Sequence, residues 1–444
     1  MSVYPTYKPS GIEWLGDIPN DWKVNRLKNI TAKSIGGVWG EEPNEDGNDT
    51  IVIRVADFDR EKASIFNSEE FTYRAISENH LLDRKLNKND ILLEKSGGGE
   101  KQLVGKAVIF DKDFDAVCAN FIQKVEILDR FDKRFVLHVL TSIYDGRINF
   151  PYVNQTTGIQ NLDITAFFNH SIAYPISKEE QNAIANYLDD KTGKLNQLIS
   201  NKKAQIEKLK EIRQIEINTA VTKGLDPNVN LKPSGVEWLG DIPEHWEVKR
   251  LKKLVEKFVD YRGKTPNKTT DGVILVTARN IKNGKITFEN SMEYMDENDY
   301  DSWMVRGMPK KGDLLFTTEA PLGEVALINE EYIGLAQRII MFKVKKNISN
   351  SKYLMYYFQS SSGQDEVLRL ATGSTALGIK GLKLPNVRSV VPSYQEQTTI
   401  ANYLDNKTNK IDQLVKNIEN QIKQLQEVRK IEIYNAVTGK IKVA

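Results

Sequence analysis

The phrase GIEWLGDIPNDWKVNRLK, which begins at Gly11, returns almost unchanged as GVEWLGDIPEHWEVKRLK from Gly235. Thirteen of its eighteen positions are identical without a gap, including two tryptophans and a proline. Chance does not produce a match of this length, so the chain contains an internal repeat. The repeat limits the chain to folds that can be built from two copies of one plan.

A second repeated segment has the pattern of a long helix. EEQNAIANYLDDKT from Glu179 corresponds to QEQTTIANYLDNKT from Gln395, and each begins within a Ser-x-x-Glu capping box, Ser177 to Glu180 and Ser393 to Glu396. Hydrophobic residues then recur at intervals of seven, the spacing of a coiled-coil seam. The residues of this frame are Leu188, Leu195 and Leu209 in the first copy, and Leu404, Ile411, Ile418 and Leu425 in the second.

The long regions between each phrase and its helix have the pattern of short strands and loops. TIVIRVADF and GVILVTARNI predict strands near their starts, and NDILLEKSGGGEKQLVGKAVIF and KGDLLFTTEAPLGEVALI each predict two strands around a loop. The sequence therefore predicts an α+β fold, with two mixed α/β domains separated by two long antiparallel coiled-coil helices. The predicted segments are an N-terminal segment packing with the C-terminal helix (1–22), a first domain (23–175), a first helix (176–225), a linker with the repeated phrase (226–246), a second domain (247–392) and a second helix (393–444).

The repeat is circular. The first helix is followed by a second copy of the phrase, whereas the second helix is followed only by GKIKVA, and the matching lead-in YPTYKPSG stands at the N-terminus. We therefore expect the two ends of the chain to meet and to close a pseudo-twofold object.

Composition excludes several classes of function. One cysteine, Cys118, and four scattered histidines do not predict a metal site or a Ser-His-Asp triad. The net charge of +2 does not suit a protein that coats nucleic acid through bulk charge. No apolar run approaches the ~18 residues of a membrane span and the N-terminus lacks the pattern of a signal peptide, so we expect a cytoplasmic protein.

Two fragments suggest a catalytic alternative, an autonomous adenine-N6 DNA methyltransferase. ILLEKSGGGE is an apolar strand followed by glycines, and NFPY, from Asn149, is similar to the motif that holds a target amino group in amino-methyltransferases. A cofactor loop needs a helix directly after the glycines, but the strand pattern GKAVIF follows instead. A coiled-coil adaptor with protein ligands only is a third hypothesis.

Two related but divergent domains on paired long helices suit a ligand with two separated features. Double-stranded DNA is such a ligand, since one helical turn advances ~34 to 36 Å and a helix of about 40 residues reaches ~60 Å. Divergence between the domains then predicts two different half-site sequences.

In this plan the chain resembles the specificity subunits of type I restriction-modification systems. The resemblance covers essentially the whole length, through the paired phrase, the EQ…IANYLD helix openings and the two variable regions. It implies that each variable region is a target recognition domain reading one half of a bipartite, asymmetric DNA site. It also implies that the helices dock two modification (methyltransferase) subunits, and that restriction subunits, which are ATP-dependent endonucleases, join the complex. No catalysis or cofactor is expected on this chain, whereas S-adenosylmethionine, ATP and Mg²⁺ are expected on the partner subunits.

The candidate DNA-binding residues are polar side chains of predicted loops, because bases are read by Arg, Lys, Asn and Gln, and phosphates are bound by basic and hydroxyl groups. In the first domain they are Lys95, Ser96, Lys101, Gln102, Asn120, Gln155, Thr156, Thr157 and Gln160. In the second they are Arg262, Lys264, Lys268, Thr317, Thr318, Gln337, Arg338, Ser374, Thr375 and Lys380.

The helices and the phrase carry further candidates. We interpret the seven-residue frame as a seam inside the chain, and the polar residues near the helix starts as exposed partner contacts. These partner candidates are Gln181, Tyr187, Gln397 and Tyr403. The tryptophans of the repeated phrase stand where a helix meets a domain, which favours structural packing over DNA contact.

Overall fold

The computed structural model describes residues 2–44, 49–68, 70–99, 102–156, 158–262, 265–289, 291–373 and 377–443. The chain divides into two compact units. Unit 1 consists of Met1–Ala204 and Ile418–Ala444, and unit 2 of Gln205–Asn417. Each unit therefore combines one predicted domain with a part of both long helices.

Unit 1 contains the first sixteen strands that the described residues form. They are β1 (Tyr7–Pro9), β2 (Asp17–Pro19), β3 (Trp22–Arg26), β4 (Thr31–Gly36), β5 (Thr50–Ile53), β6 (Phe58–Asp59), β7 (Ser64–Ile65), β8 (Thr72–Arg74), β9 (Ile91–Glu94), β10 (Ser96–Gly97), β11 (Ala107–Ile109), β12 (Ala116–Cys118), β13 (Ile122–Ile127), β14 (Val153–Thr156), β15 (Ile159–Leu162) and β16 (Ser171–Pro175). Its helices are α1 (Glu78–Arg84), α2 (Lys133–Asp145), α3 (Ile164–Phe168) and the first part of α4 (Lys178–Lys223). An antiparallel sheet in the order β11-β9-β13-β4 forms the centre, and β12-β5-β8 and β10-β15-β14 form smaller sheets.

The core of unit 1 lies on both faces of β9. Successive side chains of a strand point to opposite faces, so Ile91 and Leu93 pack on one side with Phe135 of α2. Leu92 packs on the other side with Phe110. Both faces are covered, which explains why this strand reads as a continuous apolar run.

Unit 2 repeats this arrangement. Its strands in the described ranges are β17 (Leu231–Pro233), β18 (Asp241–Pro243), β19 (Glu247–Arg250), β20 (Val255–Asp260), β21 (Lys268–Thr269), β22 (Val273–Val276), β23 (Ile281–Lys282), β24 (Lys285–Ile286), β25 (Glu293–Met295), β26 (Leu314–Thr318), β27 (Leu322–Leu327), β28 (Gly334–Leu335), β29 (Ile339–Val344) and β30 (Arg388–Val391). Its helices are α5 (Tyr300–Trp303), α6 (Ser351–Gln359), α7 (Ser361–Leu370), the last part of α4 and the first part of α8 (Tyr394–Val437). The sheet β27-β26-β29-β20 has the same strand order as the central sheet of unit 1, with β26 in the place of β9.

The alternation of the central strand is repeated as well. Leu314 and Phe316 of β26 pack with Phe358 of α6, whereas Leu315 packs on the opposite face with Met341. The prediction of mixed α/β domains is thus confirmed in both units.

The long helices are continuous over 46 residues in α4 and 44 residues in α8. In unit 1, Tyr187 Oη donates to Glu432 Oε2 at 2.9 Å and Lys202 Nζ donates to Gln421 Oε1 at 2.6 Å. The two helical segments in that unit therefore run in opposite directions. No helix in the described ranges is long and apolar enough to cross a membrane.

Unit 2 contains the same helix contact at positions 216 residues away. Tyr403 Oη donates to Glu216 Oε2 at 2.8 Å. The seven-residue frame is fully buried at Leu188 and Leu404 near the helix starts and only half-buried at Leu425. Coiled-coil packing along the whole helix length stays a prediction.

The two ends of the chain lie together in unit 1. The backbone N–H of Lys442 donates to the carbonyl of Ser2 at 2.9 Å, and Tyr434 Oη donates to the carbonyl of Trp14 at 3.0 Å. Lys440 Nζ adds a hydrogen bond to the carbonyl of Leu15 at 2.9 Å. The N-terminal phrase is thereby held by the end of α8.

A tryptophan of each phrase joins its domain to the start of a long helix. The indole N–H of Trp22 donates to Glu180 Oε1 at 3.1 Å, and that of Trp246 donates to Glu396 Oε1 at 3.0 Å. Both indoles are buried, with 1% and 0% of their surface exposed. Because each glutamate is the last residue of a capping box, one hydrogen bond ties the domain to the first helical turn.

We expect Trp22→Ala to lower the free energy of unfolding by about 3 to 5 kcal/mol, because it removes a buried aromatic side chain and its hydrogen bond. Trp39→Ala is the matched control, since Trp39 is 37% exposed. Loss of its cation–π contact with Arg74 should cost about 1 kcal/mol or less. Urea unfolding followed by circular dichroism measures both, and equal losses would contradict the structural role of Trp22.

Candidate nucleic-acid interface

In unit 1 the glycine loop after β9 and the late loop NQTTGIQNL form one sheet. Gly97 of β10 lies opposite Gln160 of β15, and Gln160 lies opposite Gln155 of β14. Gln155 is exposed, as is Gln102 at the end of the glycine loop. The structure therefore brings together candidates that are about 60 positions apart in the sequence.

Asn120 and Lys95 lie beside this sheet. The backbone N–H groups of Lys95 and Ser96 both donate to the carbonyl of Phe121, at 2.9 and 3.2 Å. Asn120 is exposed next to that carbonyl, and Lys95 is half-buried. One surface of unit 1 thus carries Lys95, Gln102, Asn120 and Gln155.

Two candidates of the first domain are corrected by their burial. Ser96 Oγ donates to Asn161 Oδ1 at 2.6 Å, and Gln160 Oε1 accepts from the N–H of Val104 at 3.0 Å. They are 9% and 6% exposed, so their side chains mainly hold the loops together, because these loops need polar partners inside the fold. Lys101, Thr157 and the side chain of Thr156 lie outside the described residues.

In unit 2 one cleft is lined by candidates from four separate segments. They are Arg262, Thr318, Gln337, Arg338 and Lys380. The backbone provides the connection, since Thr318 Oγ1 donates to the carbonyl of Arg338 at 3.2 Å. Thr318 itself is 3% exposed, so it supports the cleft and presents little surface to a ligand.

The cleft of unit 2 carries more positive than negative charge. The carboxylate of Asp260 accepts from Arg262 Nε at 2.9 Å, and this hydrogen bond raises the pKa of the Arg262 guanidinium. Arg338 lies 3.8 Å from Glu319, and Lys380 is exposed. An oriented arginine beside other cations can bind phosphate oxygens or the acceptors of a guanine.

Two other described candidates of the second domain, Thr317 and Lys268, do not line this cleft. Thr317 is 0% exposed and its Oγ1 accepts from the N–H of Glu324 at 2.9 Å, so its predicted contact with DNA is corrected to a role inside the sheet. Lys268 is exposed on β21, where it forms an ion pair with Glu293 at 2.7 Å. Lys264, Ser374 and Thr375 lie outside the described residues.

The expectation that Gln181 and Gln397 are exposed partner contacts is wrong. They are 0% and 1% exposed. Gln181 Oε1 accepts from the N–H of Asp132 at 2.9 Å, and Gln397 Oε1 accepts from the N–H of Asn350 at 2.8 Å. An amide both donates and accepts, so it can connect the start of a long helix to the start of a domain helix. Tyr403 is 37% exposed, and its contact with a partner stays a prediction.

Tyr187, the fourth partner candidate, is half-buried. Its hydroxyl donates to Glu432 within unit 1. Burial, together with this hydrogen bond, raises the pKa of Tyr187 to about 12. Its role toward a partner also stays a prediction.

The motif behind the catalytic alternative is part of the fold. Asn149 is 1% exposed and its Nδ2 donates to the carbonyl of Val104 at 2.9 Å. Tyr152 Oη is hydrogen-bonded to His170 Nδ1 at 2.9 Å. β10 opens the glycine loop, and in the described residues that follow, from Gln102 onward, the next element is the strand β11 and not a helix. Asn149 and Tyr152 are therefore used for packing inside the fold.

A buried charged network in unit 1 was missed by the sequence analysis. Glu94 at the end of β9 is 0% exposed and accepts from Arg60 Nη2 at 2.7 Å. Burial raises the pKa of the Glu94 carboxyl, and Arg60 opposes that rise. Lys106 lies 3.8 Å from Asp145 of α2, and Asp145 lies 3.6 Å from Arg429 of α8. The sequence does show one charged residue at an end of each of two apolar strands, Glu94 in ILLE and Lys106 in KAVIF.

The fold and its basic cleft define a class of protein with two related recognition domains on long helices. A family model described as "Type I restriction modification DNA specificity domain" matches residues 19–208 and 243–424. The chain belongs to this family, and the resemblance drawn from the repeated phrase is confirmed.

Relatives and solved structures agree with this assignment. The chain is 28% identical over 371 residues to the type I restriction enzyme MjaVIII specificity subunit of Methanocaldococcus jannaschii, covering 81% of this chain and 80% of that protein. It is 23% identical over 443 residues to the putative type I restriction enzyme MjaX specificity subunit of the same organism, covering 97% and 96%. A solved structure described as "Structural basis underlying complex assembly and conformational transition of the type I R-M system" matches with a TM-score of 0.69 at 14% identity, over 96% of this chain and 99% of the other, and shows a shared fold.

The buried network predicts a pH dependence of stability. Burial lowers the pKa of Lys106 from 10.5 to about 8. Between these values the unfolded chain binds more protons than the folded one, so this group makes the fold more stable as pH rises. Relative to a Lys106→Met variant, the wild-type free energy of unfolding should therefore rise by roughly 2 kcal/mol between about pH 8 and about pH 10.

Urea unfolding of both proteins at several pH values measures this difference. Other titrating groups, such as Cys118, whose pKa burial raises to about 12, occur in both proteins and cancel. A difference that does not change with pH would contradict the lowered pKa of Lys106.

Proposed function

We propose that this chain is the DNA-recognition subunit of a type I restriction-modification complex and that each domain reads one half of a bipartite, asymmetric site. The observation that supports this most directly is one sheet plan built twice with different polar residues at its edge. Where β9 ends in Glu94 and leads to Lys95, β26 ends in Thr317 and Thr318. Two readers of the same fold and different chemistry suit two different half-site sequences.

The long helices act as the spacer between the two readers in this proposal. The paired contacts of Tyr187 with Glu432 and of Tyr403 with Glu216 support an antiparallel arrangement. Their seven-residue frame supports coiled-coil packing.

Exposed apolar residues on the helices support docking of two partner copies. Six such residues occur as three pairs related by 216 positions, each 42% to 55% exposed. The unit 1 patch is Leu198, Val428 and Ile431, and the unit 2 patch is Leu414, Ile212 and Ile215. Exposed apolar side chains at equivalent places on both units suit two copies of one partner.

We identify this partner with the modification (methyltransferase) subunit, and we expect restriction subunits, which are ATP-dependent endonucleases, to join the same complex. Catalysis then belongs to the partners, with S-adenosylmethionine bound by the modification subunits and ATP and Mg²⁺ used by the restriction subunits. The complex acts on DNA in the cytoplasm. The burial of Asn149 argues against the alternative of an autonomous adenine-N6 DNA methyltransferase.

Methylation mapping tests the recognition proposal. Purified with its modification subunit, the chain should direct adenine methylation to a two-part motif, because each domain reads its own half. Exchange of residues 23–175 for the recognition domain of another specificity subunit should change one half and preserve the other. The control is the modification subunit alone, and marking of a single palindromic motif would contradict the two-reader proposal.

The docking proposal predicts a change in stoichiometry. Val428→Asp with Ile431→Asp should remove one modification subunit and leave one, because only the unit 1 patch is altered. Ile212→Asp with Ile215→Asp should have the same effect through the unit 2 patch, and all four changes should remove both subunits. Each altered patch should weaken its contact by about 10-fold or more.

Native mass spectrometry of the complex gives the number of bound subunits. Gln424→Asp is the control, since it places the same charge at an exposed polar position of α8. Full binding of two subunits by the fourfold variant would contradict docking on these patches.

A further inference from the structure

A second cleft, in unit 1, contains an arginine that the candidate set did not include. The glycine loop 97–99 lines this cleft together with Arg60, Gln102 and Phe121. The side chain of Arg60 is 24% exposed, and Phe121 is 51% exposed. The cleft therefore offers a cation and an aromatic face directly beside the surface that carries Lys95 and Asn120.

The guanidinium of Arg60 is held in one orientation from the protein side. Its Nη2 donates to Glu94 Oε2 at 2.7 Å, and its Nη1 lies 3.3 Å from Tyr144 Oη. Tyr144 Oη in turn donates to the carbonyl of Leu103 at 2.9 Å. A planar fork fixed by a carboxylate and a phenol is preorganised, so little side-chain entropy is lost when it binds a ligand.

The amide of Gln102 lies over the face of the same guanidinium. With the amide oxygen turned toward Arg60, it lies 2.7 Å from both Nε and Nη2 and 3.0 Å from Nη1. One oxygen set against three donors leaves donor capacity unused. Gln102 is exposed and can move away. The acceptors O6 and N7 of a guanine would instead bind in the plane of the guanidinium, at two nitrogens of one edge.

The glycines keep this fork accessible. Gly97 and Gly98 have positive φ angles of 129° and 67°. A Cβ on Gly98 would lie 2.7 Å from the carbonyl oxygen of Gln102, so this close approach of two backbone segments requires a glycine. On the side formed by the three glycines the cleft carries no side chains, which permits close approach of a base edge.

Unit 2 has different chemistry at the corresponding place. Thr317 stands in β26 where Glu94 stands in β9. Arg60 lies in the turn between β6 and β7, and in the turn between β23 and β24 of unit 2 the N–H of Asn283 donates to Glu324 Oε2 at 2.9 Å. Contacts of the common framework recur in both units, as Trp22 and Trp246 show. Residues that contact two different half-site sequences are expected to differ between the two units, and the pair of Arg60 and Glu94 differs in this way.

We propose that Arg60 reads a guanine in the half-site of the first domain, and that Glu94 is the positioning residue that orients it. This inference rests on the proposed function and names one of its specificity-determining contacts. Arg60 donates two hydrogen bonds to O6 and N7 of the guanine after Gln102 has moved aside, while Glu94 keeps the guanidinium in plane.

Arg60→Lys in the complex with the modification subunit tests this assignment. Lysine keeps the positive charge beside Glu94 but loses the fork. Methylation mapping should show one guanine of the first half becoming degenerate, with discrimination reduced about 5- to 100-fold, the range of one bidentate contact. The second half should be unchanged. Glu94→Gln should weaken discrimination at the same base.

Arg338→Lys in unit 2 is the matched control, and it must leave this guanine unaffected. A folded Arg60→Lys protein that marks the wild-type motif with unchanged selectivity would overturn the inference and leave the proposed function intact. So would equal weakening on duplexes substituted at every position, since that result is typical of a phosphate or structural contact. A wild-type complex that marks no two-part motif would overturn the proposed function and the inference together.

A measurement on the wild-type complex keeps the test independent of variant folding. Dimethyl sulfate methylates guanine N7. Such a methyl group on one particular guanine of the first half should block binding of the complex to that DNA, because N7 would no longer accept from Arg60. Absence of any such guanine in the first half would overturn the inference.

Discussion

Each domain of this chain meets a long helix through a hydrogen bond between a buried indole N–H and a glutamate in the first helical turn. Trp22 with Glu180 and Trp246 with Glu396 form this joint in the two units. A buried indole needs an acceptor, and a carboxylate is favoured at a helix N-terminus, so the two requirements satisfy each other. The orientation of everything that a domain presents to DNA depends on this contact, because it connects sheet and helix.

What recurs in the two units is framework, and what differs is chemistry at the sheet edge. The glutamine that follows each joint glutamate caps the backbone of a domain helix, through Gln181 in unit 1 and Gln397 in unit 2. Arg60 and Glu94, the charged pair beside the glycine loop, are not repeated in unit 2, where Thr317 stands at the place of Glu94. Selection for a common assembly would keep the framework contacts alike in the two units, since both must fit the same partner. Selection for two different DNA sequences would make the residues that contact DNA differ between the units.

The loops of the candidate interface could be predicted from the sequence better than the burial of their side chains. The hairpin after β9 and the late loop were predicted separately, and the structure pairs them through Gly97 and Gln160. Gln160 and Thr317 were misjudged because a polar residue in a predicted loop can equally satisfy backbone groups inside the fold. Arg60 was overlooked because its role depends on Glu94, and a contact between a turn and a strand that is distant in the chain cannot be read from either segment alone.

The sequence by itself determined the repeat, the class of each element and the family, because these follow from periodicity and from local capping and packing rules. The thirteen identities of the phrase and the frame of Leu188 and Leu404 required no coordinates. Tertiary structure alone decided which polar side chains face a ligand. Burial and hydrogen-bond partners depend on contacts between segments far apart in the chain. Ser96 is therefore mostly buried and hydrogen-bonded to Asn161, whereas the guanidinium of Arg60 lines a cleft.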